Sequence, residues 1–224
     1  MKLSKRLQCV AEQVPPKSNL IDIGTDHGLL PGWLLSKNHI RTALAIDIRP
    51  NPLKQAIALR TSLGLSSSVF STLLADGLQE VSIQKPSVVS IAGMGARTII
   101  RILNAISDQQ YQFITNLILQ PNQEVHLVRK WCWDNQWALC NEEMVKENGK
   151  FYVILNLHPT QGYRSGDQMD AILGPFFIQE RPQIWLQWVT ARLDFLQHLE
   201  KRLGDQFPSK FQRELAWMES HSKV

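Results

Sequence analysis

Two carboxylates, a histidine and two glycines stand close together in the segment Asp22-Ile-Gly-Thr-Asp-His-Gly28, directly after a short apolar run. Glycine lacks a Cβ atom and tolerates positive φ, so such a turn lets the end of a strand come close to a nucleotide-like ligand. The dinucleotide-binding fingerprint G-x-G-x-x-G would need glycine in place of Asp26 and again in place of Leu29. Asp26 would also put a negative charge where a pyrophosphate must lie. We therefore expect a ligand without phosphates at this loop.

S-adenosylmethionine (SAM) fits this loop better than a nicotinamide dinucleotide, because its methionine end carries an ammonium and a sulfonium. Two further acids support an adenosyl site. Asp47 ends the second predicted strand, where an acidic side chain can accept hydrogen bonds from both ribose hydroxyls. Asp76 and Gly77 end the third, where a short polar side chain can meet the N6 amino group of adenine. Because ligands bind at the carboxyl edge of open α/β sheets, these strand ends together predict one pocket.

The ends of the fourth and fifth predicted strands would face the second substrate. The fourth ends in Ile91-Ala-Gly-Met-Gly95, whose glycines let the backbone approach a substrate while Met94 forms an apolar wall. Many amino-group adenine methyltransferases have an Asn/Asp-Pro-Pro-aromatic motif at this place, and the sequence here departs from it. The fifth strand ends in Leu119-Gln-Pro-Asn122. Asn122 could aim its amide at the site or cap the following helix.

The elements that must position these residues alternate along the chain. Periodicity predicts a first helix over 3–14, strands over 19–24, 42–47, 69–74, 87–92 and 116–120, and helices over 28–37, 52–63, 96–105 and 123–136. Such alternation predicts a mostly parallel, doubly wound α/β sheet. Two apolar runs, 137–145 and 151–157, flank Asn148-Gly149, a strong hairpin signal. A closing antiparallel hairpin is typical of SAM methyltransferase sheets, so we predict a Rossmann-like methyltransferase domain with seven strands.

The C-terminal part of the chain has a helical pattern of its own. It follows a polar loop over 158–170 that fits either a functional lid or a plain connector. A helix is predicted from Pro182 to about Leu203, and its apolar heptad seam, which Glu200 interrupts, consists of Leu186, Val189, Leu193, Leu196 and Leu203. A second, shorter seam consists of Phe211, Leu215 and Met218. We therefore predict a methyltransferase domain over 1–174 and a coiled-coil-like helical hairpin over 175–224.

Composition limits the class of protein and of partner. The net charge is +4, and residues 1–60 alone carry nine Lys and Arg against four acids. A basic face of this kind fits a polyanionic partner, and it also fits a solvated surface without a partner. No apolar run reaches the roughly 18 residues of a membrane span. The three cysteines show no metal-ligand spacing, so we expect reduced thiols, a cytoplasmic protein and neither a metal nor a membrane partner.

The set of short motifs resembles the bacterial tRNA (adenine22-N1)-methyltransferases. The matching pieces, in the order and spacing of that family, are Lys2-Leu-Ser-Lys-Arg-Leu-Gln8, Asp22-Ile-Gly-Thr-Asp-His27, Asp76-Gly-Leu78, Ile91-Ala-Gly-Met-Gly95, Leu119-Gln-Pro-Asn122 and Gly174-Pro-Phe176. The resemblance implies SAM as cofactor, contacts to it from the glycine loop, Asp47 and Asp76, and methylation of the adenine at position 22 of tRNA. Ala96 departs from the family, which commonly has glycine there, and the helical hairpin looks shorter than the family's coiled-coil extension.

We assign the candidate site residues by role. Asp26 and Asn122 are the catalytic candidates, and Asp26 could either stabilise the cationic product ring or bind only the methionine amine. His27 could bond the base or act as a structural donor. The cofactor-binding candidates are Asp22, Gly24, Asp26, His27, Asp47, Ile48, Asp76, Gly77, Ala92, Gly93 and Met94. The RNA-binding candidates are Lys2, Lys5 and Arg6 for phosphate, and Tyr163 and Arg164 for stacking on the base or gripping phosphate.

The most specific prediction is a monomeric enzyme that methylates N1 of adenine 22 in tRNA with SAM. Two other interpretations remain open at this point. One is a methyltransferase that acts on another RNA or on a small molecule. The other is a non-catalytic SAM-binding protein that interacts with RNA and uses its hairpin to recruit partners.

Overall fold

The computed structural model describes residues 1–79 and 81–221. The chain forms two compact units that divide between Ser165 and Gly166. This division lies earlier than the one we predict after residue 174, because a short helix over Gln168–Leu173 packs on the next helix of the second unit. Residue 80 of the predicted first domain and residues 222–224 of the predicted hairpin lie outside the described residues.

A seven-stranded sheet forms the centre of the first unit. Its strands are β1 (Asn19–Ile23), β2 (Thr42–Asp47), β3 (Phe70–Leu74), β4 (Ser87–Met94), β5 (Ile114–Pro121), β6 (Ala138–Glu147) and β7 (Lys150–His158). They are arranged in the order β3-β2-β1-β4-β5-β7-β6. The pairs among β1 to β5 are parallel, whereas β7 is antiparallel to both β5 and β6. The predicted Rossmann-like methyltransferase sheet with a closing antiparallel hairpin is therefore confirmed.

Helices connect the strands of this unit. They are α1 (Lys5–Gln13), α2 (Leu29–Ser36), α3 (Pro50–Ser62), α4 (Ala96–Asn104), α5 (Asp108–Tyr111) and α6 (Val125–Asp134). Helix α5 has only four residues, too few for hydrophobic periodicity to show it, and a capping box between Ser107 and Gln110 begins it. The parallel crossovers bring the carboxyl ends of β1 to β5 to one edge of the sheet, where a ligand site is expected.

Helix α1 packs against β5, β6 and β7. The Ser4 side chain caps the helix by accepting a hydrogen bond from the backbone N–H of Leu7, and Val10 and Ala11 are buried against the sheet. The backbone N–H of Arg6 donates to Oε1 of Glu147, the last residue of β6, at 3.3 Å. Because β6 ends at the carboxyl edge of the parallel strands, α1 begins at that same edge.

The second unit is helical. It contains α7 (Gln168–Leu173), α8 (Pro175–Glu180), α9 (Gln183–Leu203), a 3-10 turn over Gly204–Gln206 and α10 (Ser209–His221). Helices α9 and α10 form the predicted hairpin, and Arg192 joins them through two hydrogen bonds to Glu214, at 2.7 and 3.0 Å. The predicted seam is wrong at its start, since Leu186 is 38% exposed while Trp185 is 2% exposed. The Trp185 indole N–H donates to the Leu173 carbonyl, which draws that face of α9 toward α7.

Candidate active site

A cavity of about 570 Å³ opens at the carboxyl edge of the sheet. Its walls come from the ends of β1, β2 and β4, the segment after β3, the first turns of α1 and α2, and one face of α4. The volume lies within the range of small-molecule sites. The cavity lies at the strand ends where the sequence predicts the adenosyl pocket.

The loop after β1 forms one side of the cavity. Gly24 has a φ of 70°, Asp26 a φ of 53° and Gly28 a φ of 70°, so the loop enters the left-handed region three times. The backbone N–H groups of Gly24 and Thr25 both donate to the Ile46 carbonyl of β2, which holds the loop at this edge. The positive φ of Gly24 favours glycine at this position, and a Cβ atom there would also displace the terminal methyl group of Met94.

Asp22 lies at the base of the cavity and is buried. Its Oδ1 accepts a hydrogen bond from the Ser90 hydroxyl at 2.6 Å. Burial raises the Asp22 pKa to about 6, against the opposing effect of the hydrogen bond from Ser90, and the nearby Asp47 carboxylate raises it further. A cationic ligand would stabilise the ionised form of this carboxyl group, because the two charges attract each other.

Asp47 is also buried, and its Oδ1 accepts from the backbone N–H of Arg49 at 2.9 Å and from its Nε at 3.3 Å. Within the described part of the chain, no hydrogen bond reaches Oδ2 of Asp47. Because Asp47 lines the cavity, this oxygen is available to accept hydrogen bonds from a ligand. The two hydroxyls of a ribose can donate such hydrogen bonds.

Asp76 follows β3 and is half-exposed. Its two oxygens accept from Nη1 and Nη2 of Arg101, on α4, at 2.9 and 3.0 Å. These hydrogen bonds hold the pKa of Asp76 below its usual range. Both residues line the cavity, so Arg101 fixes the orientation of a carboxylate that the sequence assigns to the adenine amino group.

The Gly93 peptide is held at both ends by the segment that closes β5. Its N–H donates to Oε1 of Gln120 at 3.0 Å, and its carbonyl accepts from Nδ2 of Asn122 at 2.7 Å. Gln120 is completely buried, and its own Nε2 donates to the Pro121 carbonyl. The Leu119-Gln-Pro-Asn122 segment therefore fixes the shape of the end of β4.

Most of the predicted cofactor-binding residues lie together around the cavity. They are Asp22, Gly24, Asp26, Asp47, Ile48, Asp76, Gly77, Ala92, Gly93 and Met94. His27 is outside this lining, and its Nε2 lies 3.5 Å from Oδ1 of Asp26. Asn122 is also outside it, and its amide holds the Gly93 carbonyl instead.

The predicted RNA-binding residues separate into three positions. Lys2 and Lys5 are exposed near the cavity edge at the start of α1, whereas Arg6 lines the cavity itself. Tyr163 exchanges two backbone hydrogen bonds with Leu139, at the beginning of β6 and thus at the opposite, amino edge of the sheet. Arg164 follows it there and donates to the Pro159 carbonyl. Their placement gives no support to stacking of Tyr163 or Arg164 on a base in this cavity.

Sequence reasoning missed three residues of the site, Ser90, Arg101 and Gln120. It predicts a phosphate contact for Arg6, which the structure places in the cavity lining. The segment Leu119-Gln-Pro-Asn122 contained a usable signal for Gln120, because a polar residue before proline at the end of a buried strand needs partners. Ser90 and Arg101 carry no signal of this kind, since their roles depend on which strand and helix lie beside Asp22 and Asp76.

Among residues 1–79 and 81–221, no group of three or more His, Cys, Asp or Glu residues is placed to hold a metal ion. In the same residues, no helix combines the length and apolar character that crossing a membrane requires.

Comparison with known proteins decides the family. Residues 3–155 match a family model described as a methyltransferase domain. Over 208 residues the chain is 32% identical to the tRNA (adenine(22)-N(1))-methyltransferase of Bacillus subtilis, covering 91% of this chain and 87% of that relative. The chain belongs to the bacterial tRNA (adenine22-N1)-methyltransferase family.

Solved structures agree with this membership of the tRNA (adenine22-N1)-methyltransferase family. A Streptococcus pneumoniae protein in complex with S-adenosyl-L-methionine matches with a TM-score of 0.85 and 29% identity, covering 99% of this chain and 100% of that one. The Bacillus subtilis tRNA methyltransferase for N1 of adenine 22 matches with a TM-score of 0.77 and 28% identity, covering 99% and 96%. The likeness extends over both units of the chain.

Proposed function

We propose that this chain transfers a methyl group from SAM to N1 of the adenine at position 22 of tRNA. The observation that carries this function is the cavity, where acids from three consecutive strand ends meet a glycine loop in a member of the tRNA (adenine22-N1)-methyltransferase family. We also propose that the enzyme is a monomer and works in the cytoplasm. The three free cysteines fit a reducing compartment.

The cavity suits SAM on three counts. The unpartnered Oδ2 of Asp47 can accept from the ribose hydroxyls, and the Arg101-oriented carboxylate of Asp76 can accept from the adenine amino group. Asp22 and Asp26 put negative charge near the glycine loop, where the ammonium end would lie. SAM, when bound, supplies an electrophilic methyl group on a positively charged sulfur.

The chain's residues have little proton chemistry to perform. N1 of adenine already has a lone pair, so nucleophilic attack requires no general base. The cavity must instead align the base with the methyl group and exclude water, which are the tasks of its rigid walls. The end of β4 supplies such a wall, since Gln120 and Asn122 hold the Gly93 backbone and Met94 adds an apolar side chain.

Methylation at N1 leaves a cationic ring, so a carboxylate near the base favours the transition state. Asp26 lines the cavity and its side chain is 64% exposed, which leaves it free to turn toward either ligand. It serves in one of two ways, by stabilising the developing positive charge of the base or by binding the methionine ammonium. A variant with Asp26→Asn separates the two, since only the second role would weaken SAM binding.

N1 belongs to the Watson–Crick edge of adenine, so the base must be unpaired or flipped out to reach the cavity. The exposed Lys2 and Lys5 stand at the start of α1, on the cavity side of the sheet, and are placed to meet tRNA phosphates. Contacts of this kind give affinity that falls with salt concentration.

The deciding experiment is methyl transfer from labelled SAM to an unmodified tRNA transcript with adenine at position 22, beside the same tRNA with guanine there. We expect incorporation only into the adenine transcript, and its loss in Asp47→Ala. Equal incorporation into both transcripts would show that the enzyme methylates a nucleotide other than the one at position 22. No incorporation with intact SAM binding would contradict the proposed substrate.

A further inference from the structure

We propose that Arg6 positions the target adenine inside the cavity, by donating a guanidinium N–H to a ring nitrogen, rather than contacting a tRNA phosphate. This inference rests on the proposed function and assigns a residue to the base subsite of the same cavity. Arg6 differs from its neighbours in helix α1, because Lys2 and Lys5 are exposed while Arg6 is partly buried and lines the cavity.

The backbone of Arg6 is fixed. It lies in the first turn of α1, which Ser4 caps, and its N–H donates to Oε1 of Glu147 on the neighbouring strand β6. One turn later, Val10 and Ala11 are buried against the sheet. The side chain therefore starts from a rigid point at the carboxyl edge.

The guanidinium is fixed as well. Nη1 of Arg6 donates to Oε1 of Gln120, a completely buried side chain that also holds the Gly93 N–H. A Cβ atom built on Gly93 would lie 3.3 Å from Nη1 and 3.9 Å from Cζ, so the guanidinium rests on the bare glycine. The Tyr152 ring lies 5.7 Å from Cζ and adds a cation–π contact.

Most donors of this guanidinium remain available for a ligand. Arginine carries five N–H donors, and Gln120 is the one side-chain acceptor that bonds Arg6 within the described residues. Of the ring acceptors of adenine, N1 is consumed by the reaction, so N3 and N7 remain for a protein donor.

The charge of the cavity argues against a phosphate at this place. Four aspartates line it, namely Asp22, Asp26, Asp47 and Asp76. Two of its three arginines, Arg49 and Arg101, already pair with Asp47 and Asp76. A phosphate beside Arg6 would therefore enter a cavity lined by four carboxylates, whereas an uncharged base carries no charge for them to repel.

The test compares Arg6→Lys and Arg6→Ala with Lys5→Ala, using the full-length enzyme and the adenine-22 transcript. Lysine keeps the charge but loses the planar fork of N–H donors. We expect both Arg6 variants to lower kcat by about 10- to 100-fold, with SAM affinity within twofold and an unchanged salt dependence of tRNA binding. Lys5→Ala should instead raise KM for tRNA and reduce the salt dependence while keeping kcat.

A kcat close to wild type in Arg6→Lys, together with raised KM and reduced salt dependence in Arg6→Ala, would overturn the inference in favour of a phosphate contact. Arg41→Ala is the matched control, since Arg41 is an exposed arginine before β2, at the opposite edge of the sheet. Melting curves of each variant identify a loss of folding. Failure of the proposed function is a separate outcome, because it appears as absent tRNA methylation in the wild type before any variant is measured.

Discussion

Asp22 and Ser90 lie opposite each other on the parallel strands β1 and β4, and the Ser90 hydroxyl donates a 2.6 Å hydrogen bond to Oδ1 of Asp22. Both side chains are buried, and the carboxyl forms part of the cavity wall. Burial keeps the Asp22 pKa near 6, so the charge of this wall changes within an accessible pH range. Binding and stability should both depend on that change.

SAM affinity should increase as the pH rises through about 6. The ionised form of Asp22 attracts the ammonium and sulfonium of SAM, whereas the protonated form has no charge to attract them. Calorimetric titrations between pH 5 and 8 should show tighter binding at the upper end. In Asp22→Asn, binding should be weak and this dependence should disappear. An unchanged pH profile in the variant would assign the titration to another group.

The raised pKa of Asp22 also means that this residue lowers the stability of the folded protein near neutral pH. Below about pH 4 the carboxyl is protonated in both folded and unfolded chains, and its contribution to stability is fully present. Between about pH 4 and 6 the unfolded chain releases the proton and the folded chain keeps it, so stability falls as the pH rises. Above the folded pKa the loss is complete, at about 3 kcal/mol for a shift of this size.

Asp22→Asn should therefore be more stable than wild type at pH 7.5, by up to about 3 kcal/mol, and equally stable near pH 3.5. Denaturant unfolding of the SAM-free protein at the two pH values measures both differences. Equal stability at pH 7.5 would show that Ser90 and solvent stabilise the ionised carboxylate better than burial destabilises it. Loss of SAM binding in a more stable variant would identify Asp22 as a functional residue that costs stability.

Arg101 should affect SAM binding through Asp76. Removing it in Arg101→Ala frees the Asp76 carboxylate and lets its lowered pKa return toward the usual value. Since both groups are largely exposed, we expect a modest loss of SAM affinity, of about twofold to fivefold. Arg97→Ala is the control, because Arg97 lies on the same helix and pairs with Glu124, outside the cavity lining. An equal effect of both variants would point to the helix rather than to Asp76.

The sequence predicted the sheet well because each strand end had a local signal. Asp22, Asp47 and Asp76 follow apolar runs, and Asn148-Gly149 marks the closing hairpin. All three acids do line one cavity. The strand order made this possible, since parallel strands place their carboxyl ends at one edge.

The remaining parts of the site depend on contacts between distant residues, which periodicity does not encode. The hydrogen bond from Arg6 to Gln120 joins the first helix to the end of β5. Tyr163 was expected near the base, but its pairing with Leu139 places it at the amino edge of the sheet. In the second unit, the hydrogen bond from Trp185 to Leu173 determines which face of α9 is buried, and the heptad pattern alone selected Leu186.

Asp47 should contribute more to SAM binding than any other residue of the cavity. It is buried, and one of its carboxylate oxygens is already used by Arg49, so a ribose would complete its hydrogen bonding. Asp47→Ala removes an acceptor for two hydroxyls, and hydrogen bonds to charged groups contribute about 1.5–3 kcal/mol each. We expect a loss of at least about 100-fold in SAM affinity, with Asp47→Asn intermediate.

The control for this prediction is Asp134→Ala. Asp134 is an exposed acid at the end of α6 that pairs with Lys130, one turn earlier on the same helix. Its substitution by alanine therefore removes the same negative charge as Asp47→Ala, but outside the cavity lining. Its SAM affinity should equal that of wild type in the same calorimetric titration. If Asp47→Ala stays folded by its melting curve and binds SAM within threefold of wild type, the ribose contact assigned to Asp47 is wrong, and the adenosyl group must lie elsewhere along the carboxyl edge.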